Sequence, residues 1–289
     1  MLSYQHIFHA GNHADVLKHI VLIHVLKHFL KKNTPFWMID THAGSGFYSL
    51  KEKYFIYSEF QDGIKKLWNC TYQPKIVSDY LNCIKKYNVD GLLRYYPGSP
   101  YISLDFLRKK DKLRLFEIHP GELKTLEKNI KIRTDQSIPK TIIKKTDGFN
   151  AIKMLLPPSS HRGIIFIDPS YEDKSDYRKV LIAIKDGLKR FCSGTYVIWY
   201  PKIGRIESKN MQLYLENLPV KCWLHISLNL RKISINGSRG LLGSGLFLIN
   251  PPHTLYPEIL DALPYLKNKL AQDDSVNYAV TFKENNIIL

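Results

Sequence analysis

The chain has 289 residues, 44% hydrophobic and 12% aromatic, which suffices for one large core or a core with a small satellite. No run approaches the roughly eighteen apolar residues of a membrane span, and the opening MLSYQHIFHAGNHADVLKH lacks the charged-then-apolar pattern of a secretory leader, so a cytoplasmic protein is expected. The 42 Lys and Arg against 26 Asp and Glu leave a net charge of +16, which draws polyanions by counterion release and favours a nucleic-acid partner over a mere lysine bias.

The first predicted element is a helix over about 13–31. Asn12 can cap it, Asp15 stands three residues on in a box-like position, and Pro35 lies beyond its end. Histidines crowd this stretch: His6, His9, His13, His19, His24 and His28. Two pairs, His9/His13 and His24/His28, have i, i+4 spacing, but no pattern such as H-E-x-x-H accompanies them, and no metal is expected. A tail and helix start that close over a ligand is the better reading.

Five strand-like runs follow: FWMID (36–40), LRLFEI (113–118), TIIKK (141–145), GIIFID (163–168) and TYVIWY (195–200). Helical patterns such as 120–131, 149–155 and 176–190 separate them. Strand alternating with helix means a mostly parallel sheet with helices on both faces. Two later runs, CWLHISLNL (222–230) and GLFLIN (245–250), are joined by a loop too short for a helical crossover, so an antiparallel pair is expected. The result is a seven-stranded α/β sheet with the outline of a class I Rossmann-like methyltransferase. One interval breaks the rhythm, since more than seventy residues separate the first two strands. Within it Phe60, Ile64, Leu67 and Trp68 show helical spacing, as do Ile76, Val77, Tyr80, Leu81 and Ile84. Residues 50–95 are therefore read as an inserted helical subdomain, with 1–49 and 96–289 forming the Rossmann-like domain and 1–35 its N-terminal tail and helix. Cys70, Cys83, Cys192 and Cys222 make no C-x-x-C pair and read as reduced structural residues.

The chemistry gathers at strand ends. The first strand runs into DTHAGSG (40–46), where Gly44 and Gly46 allow a tight turn and close approach to a ligand. A dinucleotide fingerprint would want glycine at 49, and Ser49 stands there, which leaves room for a cofactor without phosphates. The second strand ends in Glu117, placed to accept from both hydroxyls of a ribose, and the third leads to Asp147-Gly148, where an acid can take an adenine amine. Each acid alone is more often a cap or turn residue. Together they describe one crevice for an adenosine, as in S-adenosylmethionine.

The fourth strand delivers Asp168-Pro169-Ser170-Tyr171 to that crevice. An adenine amine is a poor nucleophile because its lone pair is delocalised into the ring. Two acceptors and a stacking ring would hold and activate it: the Asp168 carboxylate, the Pro169 carbonyl and Tyr171. This is the amino-methyltransferase pattern [D/N/S]-P-P-[Y/F/W], with Ser170 in place of the second proline. A similar Asn250-Pro251-Pro252-His253 follows the last strand but offers histidine where a stacking ring is wanted. The glycine-punctuated basic loop LRKISINGSRGLLGSG (230–245) suits phosphate contact.

LSYQHIFHAGNHADVLKH, DTHAGSG, LRYYPGSP, TDGF, IDPSYE and INPP resemble successive landmarks of the RlmJ family from residue 2 to about 252. That family methylates N6 of an adenine in bacterial 23S ribosomal RNA, at position 2030. The resemblance implies a Rossmann-like enzyme with an inserted helical subdomain that uses S-adenosylmethionine and acts, as a monomer, on RNA not yet assembled into the large subunit. It carries the family's cofactor contacts onto His19, His42, Ser99, Glu117, Asp147, Gly148 and Asp168, its catalytic acid onto Asp168, and its substrate contacts onto Tyr4, His6 and Lys18. Two other readings stay open: the same chemistry on DNA, and a nucleic-acid-binding relic, disabled at Ser170 and linked to the use of external DNA.

Overall fold

The computed structural model describes residues 5–50, 59–133, 139–232 and 240–284. Helix α1 (His13–Leu30) is capped as its sequence suggests, with the Asn12 side chain accepting from the Asp15 amide at 2.9 Å. Fourteen of its eighteen residues are buried, because it is apolar around its whole circumference and the rest of the chain packs on every side of it. Even so, no described helix is long and apolar enough to cross a membrane.

Strands β1 (Trp37–Asp40), β4 (Lys112–Phe116), β5 (Lys140–Lys144), β6 (Gly163–Ile167) and β7 (Thr195–Lys202) are parallel. A short ribbon of β2 (Phe47–Ser49) and β3 (Tyr95–Pro97) stands apart from them. Strand β9 (Gly243–Ile249) runs antiparallel between β7 and β8 (Cys222–Asn229), as the short connection requires. The sheet order is β10-β8-β9-β7-β6-β1-β4-β5. It holds one strand beyond the expected seven, since β10 (Asn277–Glu284) adds an antiparallel edge to β8. That strand is exposed along most of its length, so it lacks the apolar run that marks its neighbours.

Side chains alternate across β7 and show helices on both faces. Tyr196 lies under α7 (Ser175–Arg190), against Gly187, while Trp199 faces Lys18 of α1. The interval before β3 holds α2 (Lys65–Trp68) and the amphipathic α3 (Lys75–Lys85). Antiparallel pairing of β2 with β3 brings the two ends of this interval together. Its apolar side chains, among them Ile64, Leu67, Ile76 and Tyr80, join the same buried cluster as α1. Of the remaining helices, α4 (Ser99–Phe106), α5 (Pro120–Ile132), α6 (Gly148–Leu155) and α8 (Ile206–Glu216) connect strands, and α9 (Leu255–Leu270) packs beside β10.

Candidate active site

A cavity of about 1010 Å³ opens at the carboxyl ends of β1, β4, β6 and β7. His19, His42, Gly44, Ser99, Glu117 and Asp147 line it, and so do Asp168, Pro169 and Tyr171, with His6 and Lys18 completing the set. Gly46 and Gly148 stand behind this lining, and Tyr4 lies outside the described residues.

One wall is made by strand ends. Gly44 has φ +57°, and a Cβ there would come within 2.5 Å of the Tyr48 hydroxyl, so only glycine fits. Its amide donates to Glu117 Oε2 at 2.8 Å, while the His119 amide donates to Oε1 at 2.7 Å, so Glu117 ties the loop after β1 to the loop after β4. Burial raises the Glu117 carboxyl above its ordinary range, with these amides pulling the other way. Asp147 caps α6, accepting from the Phe149 amide at 2.9 Å. A Cβ on Gly148 would lie 1.8 Å from the Thr41 carbonyl oxygen, so glycine lets α6 begin directly against the end of β1. Thr41 Oγ1 meets His42 Nδ1 at 2.8 Å, and burial drives His42 down to about 3, which keeps it neutral. Two spaced acids, close backbone and neutral imidazole fit the adenosine of S-adenosylmethionine better than a pyrophosphate.

The opposite wall is made by the tail, α1 and the interval before β3. Lys18, 5% exposed, places Nζ 2.5 Å from Asp168 Oδ2 and 2.7 Å from Asp15 Oδ1. Burial opposes its charge, but the two carboxylates prevail and its pKa is raised. His6 pairs with Asp15, while His9 and Asn12 both bond Glu59, at 3.0 and 2.7 Å. His19 Nδ1 meets the Tyr96 hydroxyl at 2.7 Å, and Tyr96 meets Tyr80 at 3.2 Å. The lower part of this wall is Trp199, with Lys18 5.4 Å over its ring.

Asp168 sits where the walls join. Pro169 is buried and Ser170 exposed, with the Ser170 Oγ accepting from the Glu172 amide at 3.5 Å. Tyr171 takes φ +54°, places its ring 2% exposed, and donates its hydroxyl to the Trp199 carbonyl at 2.7 Å. The similar Asn250-Pro251-Pro252-His253 lines no part of the cavity, and Asn250 there holds the carbonyls of Cys192 and Gly194. The basic loop reaches the rim through Gly240, Leu241 and Leu242, and residues 233–239 between, Arg239 included, lie outside the described residues. Five of the crowded histidines, His6, His9, His19, His24 and His28, have separate partners, His13 is buried, and no group of three metal-ligating side chains forms among the described residues.

Sequence reasoning missed Asp15, Asp40, Glu59, Tyr96 and Trp199. Asp15 reads as a helix-start acid, and only its i, i+3 spacing to Lys18 hinted at more. Asp40 is fully buried, and burial pushes its carboxyl up to about 7 against a hydrogen bond from Ser99. Nothing local marks Glu59, Tyr96 or Trp199, whose partners are distant in the chain.

The family model described as "Ribosomal RNA large subunit methyltransferase D, RlmJ" matches residues 33–282. A Haemophilus influenzae protein named ribosomal RNA large subunit methyltransferase J is 42% identical over 282 residues, 97% of this chain and 98% of the relative. Its Escherichia coli namesake is 41% identical over 271 residues, 93% and 94% of the two chains. The crystal structure of a Legionella pneumophila protein superposes with a TM-score of 0.84 at 35% identity, over 96% of this chain and 99% of that one. With acid, glycine loop and tail gathered about one cavity, the chain belongs to the RlmJ family of ribosomal RNA methyltransferases.

Proposed function

We propose that the protein transfers the methyl group of S-adenosylmethionine to the N6 amine of an adenine in 23S ribosomal RNA. The observation that carries this reading is Asp168, held at the junction of the adenosine-shaped wall and the tail, with one carboxylate oxygen occupied by Lys18. Glu117 accepts from the ribose hydroxyls and Asp147 from the cofactor's adenine amine, with His19, His42, Ser99 and the Gly148 turn around them. Bound there, S-adenosylmethionine supplies an already electrophilic methyl group. The chain supplies placement: the second Asp168 oxygen and the Pro169 carbonyl accept from the two N–H bonds of the target amine, and Tyr171, beside them in the cavity lining, is the ring proposed to stack on the base. The substrate contacts carried over by the resemblance are Tyr4, His6 and Lys18. Of these, His6 of the tail and Lys18 of α1 line the cavity beside Asp168, and the interval 50–95, proposed as an inserted helical subdomain, braces the tail through Glu59, which bonds His9 and Asn12.

The target adenine must leave its stack to reach Asp168, which is easier in RNA not yet packed into a subunit. The protein acts there as a cytoplasmic monomer. The test is incubation with S-adenosylmethionine and 23S RNA from a strain lacking the modification, followed by mass spectrometry of nucleosides. N6-methyladenosine at a single position is expected. Transfer to duplex DNA but not to RNA would favour the DNA reading, and cofactor binding without turnover would make the chain a relic.

A further inference from the structure

Asp15 gathers two hydrogen-bonding partners and an ammonium from three places in the chain. Its Oδ2 accepts from the Gly11 amide at 2.8 Å and meets His6 Nε2 at 3.0 Å, and its Oδ1 stands 2.7 Å from Lys18 Nζ. The side chain is wholly buried, and although its bond to the Gly11 amide complements the Asn12 cap in a box-like way, capping accounts for neither His6 nor Lys18 beside the same carboxylate. Burial opposes its charge, yet His6 and Lys18 more than offset this and hold the group well below its usual range.

A lysine carries three rotatable donors on a four-carbon stem, so an ammonium beside Asp168 could serve either carboxylate oxygen. A second carboxylate on the far side removes that freedom. Lys18 lies between Asp15 and Asp168, with the Trp199 ring 5.4 Å beneath its charge, and reaches Oδ2 of Asp168. We infer that Asp15 is a positioning residue for methyl transfer, pinning Lys18 onto one oxygen of Asp168 so that the other stays open to the adenine amine, and tying His6 of the tail to the same charge. The inference rests on the reading of Asp168 as acceptor of that amine.

Asp15→Asn keeps the shape but replaces an accepting oxygen with a donor that faces donors. Turnover on unmodified 23S RNA is expected to fall by about 10²-fold, the scale of a small misplacement of reacting groups, while S-adenosylmethionine affinity by calorimetry stays at the wild-type value. Lys18→Met and the double variant complete a cycle. If Asp15 acts through Lys18, the double variant loses no more turnover than Lys18→Met alone, whereas multiplied losses overturn the inference. Asp15→Glu, with the charge displaced by one methylene, should bind cofactor and lose turnover in the same way. Loss of cofactor binding in parallel with turnover, or failure of both Asp15 variants to fold, would make the residue structural and sink the proposal. A wild-type protein inactive on RNA would bring down the functional reading itself. An active wild type matched by Asp15→Asn would bring down only this inference.

Discussion

The two walls of the cavity are built by different means. On the side proposed for the cofactor, Gly44, Glu117 and Asp147 each lie within a few residues of a strand end, and the hydrogen bonding of the sheet sets their spacing. On the side proposed for the target base, the bonds join residues 150 positions apart (Lys18 and Asp168), 77 apart (His19 and Tyr96) and 47 apart (Asn12 and Glu59). One wall is thus a by-product of the sheet. The other exists only when tail, α1 and the interval before β3 have docked, which makes its geometry the more sensitive to single side chains.

The largest effect should come where the walls meet. Asp168→Ala removes an acceptor from the amine, and single-turnover methyl transfer should drop by about 10²–10³-fold with the fold intact. Retention of near-normal rates would take Asp168 out of the chemistry and leave the two walls without a common centre.

Glu117→Ala probes the sheet-built wall alone. It removes a partner for the ribose and for the Gly44 and His119 amides, and S-adenosylmethionine affinity should weaken by about 1–3 kcal/mol in calorimetry. RNA affinity should be unmoved. A matching loss of RNA binding would erase the distinction between the walls.

Replacement of Arg231 and Lys232 by Gln asks the converse. The flank of the basic loop reaches the rim, with Arg231 Nε donating to the Leu241 carbonyl at 3.3 Å. Loss of two phosphate contacts should flatten the plot of log RNA affinity against log salt by about 1–1.5 and leave cofactor binding alone. An unaltered slope would mean that these charges do not touch phosphate.

The smallest effect is expected at Ser170. Its side chain is exposed, and the Pro169 carbonyl that serves as second acceptor is present with either residue. Ser170→Pro fixes one φ angle and should change single-turnover rate by less than about threefold. If the natural protein proves inactive and Ser170→Pro restores transfer, the serine has disabled the site.

Legibility followed the same division. The seven strands read from apolar runs begin and end within two residues of their expected bounds, because six of them are largely buried and carry runs of apolar residues, and β5, though a half-exposed edge, keeps the β-branched run Thr141-Ile142-Ile143. Strand β10 escaped, since an exposed edge needs only alternation, and Val280 and Phe282 are merely half-buried. The strand-end acids and the Asp168 turn were legible for the same reason: a strand announces where its carboxyl end must be. Resemblance, not spacing, brought His6 and Lys18 to the site. Glu59 was illegible in its role because a partner 47 residues away leaves no mark beside it in the chain, and Asp15, whose partners lie within nine residues, was read only as a helix-start acid because that reading already accounts for an acid at its position. Gly46 and Gly148 were read as ligand contacts, and their immediate neighbours are side-chain and backbone atoms of the protein itself.

The entry of the chain into the fold has a practical side. Gln5 is followed at once by His6 and His9 at the cavity wall and then by a helix sealed in the interior, so the described chain enters the fold beside the side of the cavity proposed for RNA. Strand β10 ends at the outer edge of the sheet, beyond β8 and away from β1 and β6. A fluorophore on the exposed edge of β10 should therefore leave turnover at the wild-type value, where the same label at Gln5 should raise the KM for RNA.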